Sequence, residues 1–182
     1  MYFDVLYNIP FIYIEINNHK YYVLSNITMS AKSIFNDKTL WAKSISNIEL
    51  DAIARKLKLT NYRGTVSRDN LPQYPVKTKE SFIINLQPAQ VGNGSHWCSL
   101  IRDGDRVFYF DSYGNAAPSD VYNRYPGISP VSSTFILQSM RDDVYCGILS
   151  MYVIYDYLKN GRNFFNTIMK IKKAYDQNDN DS

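Results

Sequence analysis

Apolar and polar positions along this chain resolve most of it into separate elements. "FIYIEI" and "YYVL" are apolar runs flanking "NNHK", which predicts a β-hairpin over residues 11–24 with a polar turn and His19 at its tip. Residues 25–45 show no single period and leave room for a short helix near "SAKSIF". A clear helix start follows in "SNIELDAIARKL". Ser46 and Glu49 fit a capping box, and Leu50, Ile53, Ala54 and Leu57 recur on one helical face. "TNYRGTVSRDNLPQYP", broken by Gly64, Pro72 and Pro75, reads as irregular chain.

"SFIINL" (81–86) predicts a strand, "QPAQVGNGS" a glycine-bearing loop, and "HWCSLIRDGDRVFYFD" two further strands. "SYGNAAPSD" is loop and "STFILQ" (133–138) another strand. "CGILSMYVIYDYLKNG" is apolar nearly all round, the mark of a buried helix, and Gly161 supplies its stop. "NFFNTIMKIKKAY" predicts a last helix with Phe164, Ile168 and Ile171 on one face, before a frayed "DQNDNDS". Helix, then strands, then helices implies an α+β fold. The chain reads as one domain, 1–182, with an N-terminal extension (1–45), a core (46–175) and a tail (176–182).

A length of 182 residues suits one hydrophobic core and is short for two. Sixteen Tyr and nine Phe make the chain aromatic-rich, and a formal net charge of +3 argues only mildly for polyanions. No apolar run reaches membrane-spanning length, and "MYFDVLYNIP" lacks the basic opening of a signal peptide, so no membrane partner and a reducing compartment are expected. Two cysteines, Cys98 and Cys146, make no disulfide framework, and no paired Cys/His spacing suggests zinc. Lys159, Arg162, Lys170, Lys172 and Lys173 fall in the last two helices, either a solvated face or a weak nucleic-acid surface.

The candidate chemistry sits in "GSHWCSLIRDGDRVFYFDSYG", residues 94–114. Asp-Gly between strands is a strong hairpin signal. With Asp103 and Gly104 at the turn centre, Ile101 faces Arg106, Cys98 faces Tyr109, and His96 faces Asp111. Opposed side chains stand about 4.5–5.5 Å apart at Cβ, so the turn delivers an imidazole to a carboxylate. The carboxylate fixes the tautomer and leaves the other ring nitrogen able to take a proton. Cys146 is the candidate donor. A thiol at a helix N-terminus gains from the positive dipole end, which favours thiolate, while Asp142 and Asp143 oppose that unless they face solvent or cap the helix. A small core residue is the competing reading of Cys146. Gln138, with the Cys146 backbone N–H, could donate to the oxyanion of a tetrahedral intermediate, or be a solvated amide.

These blocks resemble a known family. "GSHW", "FDSYG" and "LQSMRDDVYCG" are similar to the histidine, acid and glutamine-to-cysteine blocks of adenovirus-type (adenain-like) cysteine proteases, within the clan of SUMO- and ubiquitin-like-protein proteases. "IELDAIARKL", "YRGTVSRDNLP" and "FIINLQPAQVGNGSHW" extend the likeness over residues 46–160. It implies a papain-like active site with rearranged chain order (His, Asp, Gln, Cys) on a central mixed sheet packed by helices, with an added N-terminal hairpin. His96 is implied as general base, Asp111 as orienting acid, Cys146 as nucleophile and Gln138 as oxyanion donor. Adenovirus enzymes carry Glu at the acid position, where this chain has Asp.

The resemblance further implies maturation of viral capsid precursors by a monomer, in the virion or the host cytoplasm, as in a virophage or Maverick-like double-stranded DNA virus. It implies cutting next to small residues such as Gly-Gly, weak stimulation by DNA or stimulation by a peptide activator, and no cofactor. Trp97 is implied as a substrate wall, with a core aromatic as the rival reading, and Gly92 and Gly94 would let a substrate strand approach. The peptide-capturing cysteine of the adenovirus enzyme has no match, so Cys98 is expected to be a packing thiol. Within the same clan, an isopeptidase for ubiquitin-like tails or an acyltransferase would use the same residues.

Overall fold

The structure is a computed structural model that describes residues 11–16, 19–24, 29–41, 43–91, 96–137 and 144–179; for 11–24, 29, 30, 32, 38 and 174–179 only the backbone is described. Chain order is β1 (Phe11–Ile16), β2 (His19–Leu24), α1 (Met29–Phe35), α2 (Lys38–Trp41), α3 (Asn47–Lys56), β3 (Tyr62–Ser67), a 3-10 segment (Arg68–Gln73), β4 (Lys79–Asn85), β5 (Trp97–Asp103), β6 (Arg106–Phe110), α4 (Ser119–Arg124), β7 (Val131–Ser132), α5 (Cys146–Lys159) and α6 (Phe164–Asp179).

β3-β4-β5-β6-β7 form one mixed sheet, parallel at its two outer pairs and antiparallel between. Successive side chains of a strand take opposite faces, and here both faces are buried. Ile83, Ile101, Phe108 and Phe110 pack with α3, α5 and α6 in the larger core, while Phe82, Ile84, Cys98, Leu100, Val107 and Tyr109 meet Leu71, Val121 and Tyr125 on the other side. The fold is therefore α+β, a five-stranded mixed sheet covered by helices.

The capping box closes as the sequence predicts: Ser46 Oγ accepts from the Glu49 amide, and the Glu49 carboxylate accepts from the Ser46 amide. α5 is buried nearly all round and ends before Gly161, whose φ of +102° favours glycine.

Five details differ from the sequence reading. His19 pairs with Ile16 inside the hairpin ladder instead of capping its turn. "TNYRGTVS", read as irregular, supplies edge strand β3; Gly64 marks a register shift opposite β4 and does not end the strand. The strand expected over "STFILQ" (133–138) is absent from residues 133–137: the two-residue β7 ends before it, and the Leu137 amide donates to Ser112 O at 2.8 Å in the loop after β6. α6 runs on to Asp179, past the frayed end expected at residue 176. Finally, residues 29–45 are no appendage. Ala31, Phe35, Trp41 and Ile45 lie in the larger core, where the Phe35 ring meets Tyr152 edge-on at 5.2 Å.

Candidate active site

His96 immediately precedes β5 and continues its ladder, its carbonyl accepting from the Leu86 amide at 3.1 Å. Three strands, not two, set the hairpin register. Asp103 pairs with Arg106, Ile101 with Phe108 and Leu100 with Tyr109, two residues away from the predicted pairing. Gly104 and Asp105 form the turn, and only Gly104 has positive φ (+70°), the pattern of a II′ turn instead of I′. The cause is Asp103. β4 holds it opposite Lys79, the Gly104 amide donates to Thr78 O at 2.7 Å, and the Asp103 carboxylate accepts from Tyr157 at 3.1 Å and Arg162 at 3.0 Å.

A slip of one residue would have turned every side chain to the other face; a slip of two turns none. Asp111 thus lies diagonal to His96 rather than directly across, and the groups still meet: His96 Nε2 and Asp111 Oδ1 are 2.6 Å apart. Asp111 is fully buried. Its Oδ1 also accepts from the Tyr113 amide at 2.8 Å and its Oδ2 from Asn115 Nδ2 at 3.1 Å. Burial works to raise its pKa, but the His96 bond and charge, with the Tyr113 and Asn115 bonds, hold it below the usual carboxylate range.

Cys146 is the first residue of α5 and is 4% exposed. One turn later, Ser150 Oγ donates to Trp97 O at 3.1 Å, which lays the start of α5 over the start of β5, beside His96. Gly147 makes this approach possible. A Cβ there would collide with the Ile45 side chain and stand 3.1 Å from Trp97 Cδ1. Trp97 is half-buried and fixed, its indole N–H donating to Ile45 O at 3.0 Å.

Burial alone pulls the His96 pKa down. The bond to Asp111, then those with Cys146 and Cys98, outweigh it and hold the imidazole well above its ordinary 6.5, favouring the charged ring. With Nε2 on Asp111, Nδ1 is the nitrogen left for proton transfer. It is buried and has no hydrogen bond of standard geometry among the described residues, though the Cys146 thiol bears on the ring closely enough to raise its pKa. Tyr113 stacks on the ring, centroids 4.3 Å apart and planes inclined by 23°. The arrangement can do nucleophilic chemistry: a thiol at a positive helix end, an imidazole beside it, and a carboxylate fixing the imidazole.

The structure brings His96, Asp111 and Cys146 together; Gln138, Gly92 and Gly94 lie outside the described residues. Sequence reasoning missed Tyr113 and Asn115. The available signal was the spacing after Asp111, since an Asp followed by a turn-forming "SYGN" often bonds the amide two residues on. Cys98 is fully buried and in no disulfide, with burial pushing its thiol up to about 11. Of the basic residues in α5, α6 and the loop between them, Lys159 donates to Lys58 O, Arg162 pairs with Asp103, Lys170 pairs with Asp156, and Lys172 lies over the Phe135 ring.

No protein-family model and no curated protein matches the sequence. Among solved structures, the chain is similar to the ASFV pS273R protease: TM-score 0.49 at 15% identity, over 73% of this chain and 66% of that one. The selenomethionine form of that protease gives TM-score 0.49 at 14% identity over the same shares. The chain thus spans a little under two-thirds of the length of these proteins.

Proposed function

We propose that this protein is a cysteine endopeptidase that processes viral structural precursors through an acyl-enzyme on Cys146. The observation that carries the reading is the placement of the His96 ring between the Asp111 carboxylate, 2.6 Å from Nε2, and the Cys146 thiol at the start of α5. In the mechanism, the Cys146 S–H proton passes to His96 Nδ1 before attack, giving the charged ring that Asp111 favours. The thiolate sulfur then bonds to the scissile carbonyl carbon as the C=O pair moves to oxygen. The oxyanion is held by the positive end of α5 and by Gln138. Collapse breaks the C–N bond, and the ring N–H proton leaves with the amine. Water then adds to the thioester, giving a proton to His96; the C–S bond breaks and the thiolate recovers that proton.

Asp111 keeps Nε2 protonated and steadies the imidazolium, while Asn115 and the Tyr113 amide fix Asp111. Trp97, locked between Ile45 and Gly147, supports the further proposal of a rigid aromatic wall that admits small residues such as Gly-Gly next to the cut, with Gly94 letting the substrate strand approach. Capsid precursors as substrates, action in the virion or host cytoplasm, and origin in an adenain-like enzyme of a virophage or Maverick-like virus belong to the same proposal and rest on the sequence resemblance. So does weak DNA stimulation.

The test is cleavage of capsid precursors by the purified chain. Cys146→Ala abolishes cleavage while retaining the fold by circular dichroism. Full cleavage by that variant overturns the proposal, and covalent capture by ubiquitin-like probes would move the substrate to a ubiquitin-like tail.

A further inference from the structure

Residues two apart on a strand share a face. His96 and Cys98 therefore point the same way at the start of β5, and Asp111 points to that face from the end of β6. A ring nitrogen of His96, Cys98 Sγ and an Asp111 carboxylate oxygen all lie within 4.8 Å of one another. All three residues are buried. The acyl-transfer cycle has no use for the Cys98 thiol, yet this thiol lies against the ring of the general base.

We propose that His96, Cys98 and Asp111 form an inhibitory zinc site. Imidazole, thiolate and carboxylate are the donor types zinc takes, and three protein ligands leave a fourth position for water. A thiolate excludes calcium and magnesium, which take oxygen ligands. At zinc bond lengths of about 2.0–2.3 Å, two ligand atoms on one ion stand roughly 3–4 Å apart. The cluster must contract slightly around Cys98, and the His96–Asp111 pair must open by about 1 Å. Spacing along the sequence hides the set, because its third member comes from the neighbouring strand.

Zinc takes the ring as neutral imidazole through one nitrogen and Cys98 as thiolate, so binding releases the Cys98 S–H proton. The ring's other nitrogen keeps its proton and has no lone pair for the Cys146 thiol. Occupancy of the site and loss of proton transfer are thus one event. That zinc stops catalysis rests on the protease reading; that the metal binds does not.

The experiment titrates Co2+ into full-length Cys146→Ala, whose one remaining cysteine is Cys98. One equivalent gives the near-ultraviolet thiolate-to-cobalt band, and Zn2+ removes it. Cys98→Ala loses the band. Asp111→Asn, which keeps the shape and the thiol, binds at least about tenfold more weakly and serves if Cys98→Ala does not fold. Absence of the band in Cys146→Ala, or its persistence in Cys98→Ala, overturns the site by placing no metal there or placing it on the nucleophile. In the activity arm, Zn2+ slows wild-type cleavage, and Cys98→Ala resists it relative to its own rate. Cobalt binding without any proteolysis to inhibit would instead count against the protease reading alone.

Discussion

Tyr113 lies nearly flat against the imidazole of His96, ring centroids 4.3 Å apart and planes 23° from parallel. The Asp111 oxygen that meets the imidazole also accepts from the Tyr113 amide, so one carboxylate places both rings. Tyr113 is therefore a positioning residue. Tyr113→Ala lowers kcat roughly 10–100-fold, the scale of a small misplacement of a reacting group, with a smaller change in KM, while Tyr113→Phe restores most of the rate. Equal losses in both variants would assign the effect to the hydroxyl and not to stacking.

Burial depresses the His96 pKa, and Asp111 makes the largest of the contributions, with those of Cys146 and Cys98, that together overcome it. In Asp111→Asn that support is gone, and His96 titrates at lower pH than in the parent. NMR titration in the Cys146→Ala background reads this directly, since the chain has only two histidines. The folded state binds the proton more tightly than the unfolded chain. The pair's stabilising contribution is therefore complete below about pH 6.5 and is lost as pH rises towards the folded-state value. Asp111→Asn flattens that dependence and lowers cleavage about 10²–10⁴-fold. An unchanged His96 titration would refute the role given to Asp111.

Gly147 admits no Cβ, because Ile45 and Trp97 fill the space. Gly147→Ala costs about 1–3 kcal/mol by overpacking, and by pushing α5 from β5 it also cuts activity below the loss expected from unfolding. Denaturant melts paired with rates on the folded fraction separate the two effects. Trimming the obstacle, as in Gly147→Ala with Ile45→Ala, recovers part of the stability.

Glu80 and Arg124 form a buried pair remote from the cysteine, with Arg124 Nη2 2.7 Å from Glu80 Oε1 and further bonds to Leu71 O and Tyr74 O. Glu80→Ala leaves the guanidinium unpaired and costs about 3–5 kcal/mol. Thermal denaturation shows a large fall in Tm, while cleavage well below that temperature stays near normal. A Tm within a degree or two of the parent would contradict the assignment.

Much of this was legible in the chain because local rules and tertiary packing agree there. The Ser46–Glu49 box starts α3 as read, and the all-apolar face pattern of α5 becomes a buried helix. The His96–Asp111 contact was reached through the wrong register. Asp103 belongs to a three-stranded ladder that a two-strand count omits, and the parity of a two-residue slip preserved the result. β3 was hidden because a parallel edge strand with a glycine shift lacks clean alternation. The core role of residues 29–45 was hidden because α1 and α2 are too short to display a period. Tyr113 and Asn115 act through a turn whose shape depends on Asp111 bonding its own backbone, a feature that no spacing of apolar residues encodes.

The central claim is that His96 activates Cys146, and alkylation by iodoacetamide across pH with peptide mapping tests it most directly, because the reagent is small enough to probe a thiol that is 4% exposed. The account predicts that Cys146 is labelled well ahead of Cys98 under mildly acidic conditions, and that His96→Ala removes this preference. Equal labelling of the two thiols, or a Cys146 rate indifferent to His96→Ala, would contradict it.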